Sequence, residues 1–149
     1  MADDATVTVS ASVLPDEIQK VISGSLSVSP ADANDKWYYK LTRVSNSSTD
    51  LMAGDFIVYT AVDDDTATTA VSTSDKVNFL LVQNQSSTGS VYIVVDGGTA
   101  SSTAGDAFLV GASQTWYGRL PNATVADIHA ISSTGTVNCV GAALLDDVG

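Results

Sequence analysis

The chain has one cysteine, one histidine and one glutamate in 149 residues, and six lysines and arginines against seventeen acidic residues. Each scarcity excludes something. Cys139 has no partner for an internal disulfide, and its place between Val137 and Val140 in an apolar stretch marks it as a small buried hydrophobe rather than a reactive thiol. With His129 it supplies two soft ligands at most, too few for a structural zinc site in a monomer. One cysteine leaves the redox compartment open. The net charge of -11 repels phosphate backbones and anionic bilayers, so neither nucleic acid nor a membrane surface is an expected partner. No run approaches the roughly 18 apolar residues of a membrane-spanning helix. The opening MADDATVTVS has no basic region and no apolar core, so no secretory signal is expected there.

Catalytic patterns are missing too. There is no G-x-S-x-G elbow for acyl transfer, and the Gly97-Gly98 pair belongs to neither a dinucleotide fingerprint nor a Walker loop. Glu17 is the sole glutamate, and the aspartates sit mostly in turn-like segments, a poor setting for the rigid carboxylate pair of a glycosidase. Asp63, Asp64 and Asp65 offer oxygens to a calcium ion. They lack the alternating ligands and the twelfth-position Glu of an EF-hand loop, and read as a solvated acidic turn. His129 reads as a structural imidazole facing away from the buried side, since Ile128 alternates with it. No cofactor, metal or catalytic residue is expected, and the chain reads as a non-enzyme.

What is abundant is strand chemistry. VNFLLV (residues 77–82), VYIVV (91–95), AFLV (107–110), DIHAI (127–131) and TVNCVGAALL (136–145) are short apolar bursts, separated by Gly, Ser, Thr and Asn turns. Earlier, TVTVSASV (6–13) alternates apolar and hydroxyl side chains, WYYKLTRV (37–44) alternates with aromatics on both faces, and DFIVYTAV (55–62) is a further strand. Residues 63–75 suggest an exposed connection. Residues 15–22 read either as a short helix opened by Pro15 or as the lead into a strand that continues past Gly24. The expected fold is all-β: an antiparallel, jelly-roll-like β-sandwich over residues 14–149, with an N-terminal arm or edge strand over 1–13 and at most one short helix.

With no reaction centre in view, function is sought in surfaces. Rings are few but dense at Trp37, Tyr38, Tyr39, Trp116 and Tyr117, and Arg119 stands beside them as a scarce cation; such side chains either fill sandwich ends or anchor an interface. The alternating strand holding Thr6, Val7, Val9 and Val13 is suited to strand addition or to clasping a neighbouring subunit, and equally to completing a sheet edge.

The segments ISGSLSVSPADANDKWYYK (22–40), VYIVVDGGTASSTAGDAFLVGASQTW (91–116) and ADIHAISSTGTVNCVGAALLDD (126–147) together resemble small structural proteins of tailed bacteriophages, notably those of marine and cyanobacterial phages. The resemblance covers most of residues 77–145 and is one of strand and turn texture. It implies a β-sandwich virion component without enzyme activity, foremost a cement or decoration protein on the capsid exterior. Its partners would be the major capsid protein and further copies of itself, as trimers or dimers. A tail or fibre-associated module binding carbohydrate or a host surface is the alternative.

Overall fold

The computed structural model describes residues 4–13, 20–31, 35–52, 55–60 and 66–146, which form an all-β fold with essentially no helix. The strands are β1 (Ala5–Val13), β2 (Lys20–Val28), β3 (Asp35–Val44), β4 (Thr49–Asp50), β5 (Asp55–Thr60), β6 (Thr66–Ala70), β7 (Lys76–Asn84), β8 (Val91–Val94), β9 (Phe108–Val110), β10 (Thr115–Arg119), β11 (His129–Ser132) and β12 (Val137–Asp146). Among the described residues a 3₁₀ turn, Val125–Asp127, precedes β11. The segment where Pro15 suggested a helix start lies outside the described residues, and Val21 and Ile22 belong to β2.

Two antiparallel sheets pack face to face. One has the order β10-β7-β12-β3-β5-β6 and the other β4-β11-β8-β9. Between them the strands pair from the outside of the chain inwards: β3 with β12, β4 with β11, β7 with β10, and β8 with β9. The β5–β6 hairpin extends the larger sheet beside β3. The facing sides enclose a core that includes Tyr38, Val44, Met52, Val77, Leu80, Val82, Val91, Ile93, Ile128, Cys139 and Leu145. Period-two alternation explains this selection, because one face of each strand meets the other sheet.

A third layer departs from that scheme. β1 and β2 join neither sheet; they pair with each other over nine residues, Ala5↔Val28 to Val13↔Lys20. The base of this ribbon lies on the outer face of the larger sheet, where Val7, Leu26 and Val28 meet Trp37, Phe79, Leu81, Tyr117 and Leu144. That is why strand β3 carries rings on both sides: Tyr38 points into the sandwich and Trp37 lies beneath the ribbon. A register break between Leu144 and Leu145 leaves Asn78 as an extra residue in β7. The bulge lets Phe79 and Val77, two residues apart, face opposite layers.

One local reading differs from expectation. Residues 66–70, read as part of an exposed connection, form edge strand β6, since β-branched threonines suit a ladder that needs backbone pairing on one side only. Thr49–Asp50 forms a two-residue strand held by β11. The bursts 77–82 and 91–95 do not pair with each other, because the segment between them crosses from one sheet to the other.

Candidate functional site

The ribbon is the most distinctive surface. Its sequence makes it two-faced: Val7, Val9 and Ala11 are half-buried while Thr6, Thr8, Ser10 and Ser12 are exposed. Across the pairing, Val7 meets Leu26 and Ala11 meets Ile22 on the apolar side, while Thr8 meets Ser25 and Ser10 meets Ser23 on the hydroxyl side. At the base, Trp37 stands edge-on to Phe79 with ring centroids 6.1 Å apart, and Arg119 Nη2 donates to the Ser27 carbonyl at 2.8 Å. Towards the tip the ribbon leaves the body. Val21 and Ile22 are 69% and 62% exposed, and a cleft of about 370 Å³ opens between Val9, Ala11, Ile22, Leu26 and the Tyr117 ring.

Beyond the ribbon the outer face of the larger sheet continues uncovered. Tyr39 and Leu41 on β3 are 45% and 55% exposed, and their partners across the ladder are Ala142 and Val140 of β12. At the opposite rim, Phe108 on β9 and Trp116 on β10 stack at 4.9 Å and close the gap between the two sheets. Trp116 folds over Gly118, where an added Cβ would lie 3.2 Å from the indole, so glycine is what admits the ring.

The residues singled out from the sequence therefore divide. Trp37 and Tyr117 support the ribbon, Tyr38 fills the core, Tyr39 faces outwards, and Trp116 seals an edge. Arg119 takes a backbone carbonyl rather than a carboxylate among the described residues. Thr6, Val7 and Val9 share the ribbon; Val13 pairs with Lys20 at its far end. Exposed Val21, Ile22, Leu41, Phe108 and Leu109 were not singled out. For Ile22 and Leu41 the signal was present, as Ile22 alternates with Gly24 and Leu26, and Leu41 with Trp37 and Tyr39.

Several polar groups elsewhere are tied into local contacts. His129 Nε2 lies 3.1 Å from Asp50 Oδ1, while its buried Nδ1 has no hydrogen-bond partner among the described residues. The Asp127 carboxylate accepts the Thr124 backbone N–H and hydroxyl, both at 2.8 Å; these bonds, aided by nearby His129, hold its pKa below the ordinary value. Burial pushes the Cys139 thiol up to about 11, as expected of an inert core sulfhydryl. Asn84 is fully buried: Nδ2 donates to the carbonyls of Gly89, Val110 and Gly111, and Oδ1 accepts the Ser86 N–H. Asp63, Asp64 and Asp65 lie outside the described residues, and among those described no three His, Cys, Asp or Glu side chains gather as metal ligands. Comparison of the chain with protein-family models, with curated proteins and with solved structures gives no significant match.

Proposed function

We propose that this chain is a non-enzymatic structural protein of a virus particle, a cement or decoration protein that binds the major capsid shell of a tailed bacteriophage from outside. The nested pairing of β3 with β12, β4 with β11, β7 with β10 and β8 with β9 supports the reading, because a jelly roll, the rolled-up hairpin recurrent in viral shell domains, would pair its strands in such an order. Fold alone does not assign a role. The surface adds to it: an amphipathic ribbon projecting from a strongly acidic body, beside the exposed Tyr39 and Leu41, suits docking on a repeated lattice where many modest contacts add up.

The test is to mix the purified chain with expanded phage shells and image the particles. Saturable density at symmetry-equivalent outer positions is expected, weakened by Leu41→Asp; no density at any protein concentration rejects the proposal. Jelly rolls also serve lectins, and exposed Phe108 with half-buried Trp116 offers a ring platform for a sugar. Glycan titration separates the two, since saturable sugar binding lost in Trp116→Ala, without shell binding, favours the carbohydrate module.

A further inference from the structure

The ribbon of β1 and β2 combines two properties that no other described strand has together. From Ala5 to Val13 and from Val21 to Val28 it carries no charged side chain, in a chain of net charge -11. It also presents the longest bare edge. The other sheet edges are short, at two residues in β4, three in β9 and five in β6 and β10. β1 runs nine residues in unbroken register with β2 on one side and, among the described residues, no strand on the other. Charge, proline and bulges are the usual means by which an exposed edge avoids pairing, and β1 has none of them. On β2, Arg119 occupies the Ser27 carbonyl; among the described residues β1 makes no hydrogen bond beyond β2.

We infer that β1 pairs antiparallel with β1 of a second copy about a two-fold axis through Val9, joining two ribbons into one four-stranded sheet. The sequence is self-complementary in that register. Val7 then faces Ala11, Thr8 faces Ser10, Thr6 faces Ser12 and Ala5 faces Val13, so apolar meets apolar and hydroxyl meets hydroxyl. Charge matching favours the same occupant: a second copy brings an equally uncharged strand, whereas a charged partner would leave its own groups desolvated against the ribbon. The remaining acidic charges of the two bodies repel at longer range, so added salt strengthens the pairing.

Nine residues give an edge about 30 Å long. Such an edge buries on the order of 600 Å² in total, below the roughly 1,200 Å² of a standard stable interface, so the dimer is reversible. This inference deepens the reading as a lattice-binding protein by naming what the arm grasps, and it is measured on the chain alone.

Sedimentation of the full chain at rising concentration, in about 0.05 M and about 0.5 M salt, is expected to move from 15.3 kDa towards twice that mass, more so at the higher salt. Thr8→Lys combined with Ser10→Lys places like charges opposite each other across the axis, on exposed positions that leave the ribbon's packing alone. That variant, and the matching pair Thr8→Glu with Ser10→Glu, should each remain at monomer mass with wild-type circular dichroism, while an equimolar mixture should dimerise. A wild-type chain that stays monomeric in both salts, double variants that assemble like wild type, or a mixture that fails to associate would each overturn the inference. Intact dimerisation without shell binding would reject the capsid reading alone; shell binding by a strictly monomeric chain would reject this inference alone.

Discussion

Asn84 shows how one side chain can hold three segments. Its amide bonds the carbonyls of Gly89, Val110 and Gly111 and its oxygen takes the Ser86 N–H, fixing the start of the crossing between sheets to the end of β9. Asn84→Ala strands these buried carbonyls and is expected to cost about 2–4 kcal/mol in urea unfolding. Asn84→Asp, which turns a donor towards three acceptors into a carboxylate, should cost more. Asp127 supplies a pH dependence. Its folded pKa is lowered by the Thr124 bonds, so its stabilisation is complete above the unfolded-state value and is lost as pH falls through the folded value. Stability should therefore drop on acidification below about pH 4, and Asp127→Asn should flatten that part of the urea-midpoint curve. Nearby, Gly97 has φ +78° with its N–H on the Asp127 carbonyl, which joins this corner to the turn that follows β8.

At the scale of elements, the ribbon and the sandwich are separable. The ribbon touches the body through a small cluster of side chains and the Arg119–Ser27 bond at its base, whereas the sandwich strands are paired on both sides at its centre. Leu26→Asp should therefore abolish hydrogen-exchange protection in β1 and β2 while leaving β7 and β12 protected; equal loss in all four strands would show a single cooperative unit. The sequence revealed the strands themselves because alternation and turn residues are local signals, visible at residues 6–13, 37–44 and 136–145. It did not reveal the partners. Nothing local in 77–82 and 91–95 says that they lie in different sheets, and the two aromatic faces of β3 made sense only once a third layer covered Trp37. The ring cluster dispersed for the same reason, since neighbouring residues on a strand point to opposite sides.

For the whole molecule, topology decides behaviour. β12 lies between β7 and β3 in the larger sheet, and its partner β3 is far away in sequence. Contacts of that kind must close large loops before they stabilise anything, so refolding from urea should be slow for the size, in the range of milliseconds to seconds or longer. A chain cut before Val137 should lose the cooperative transition altogether, because Cys139, Ala143 and Leu145 leave the core and both neighbouring strands lose a ladder.

The position of β12 also bears on synthesis. β1 and β2 are neighbours and can pair as soon as they clear the ribosome, but β3, with β5 on one side, waits for its other neighbour, β12, translated about ten seconds later at ordinary elongation rates. During that interval the nascent chain displays its uncharged ribbon before it has a closed sandwich. Copies made side by side on one messenger would meet through that ribbon first.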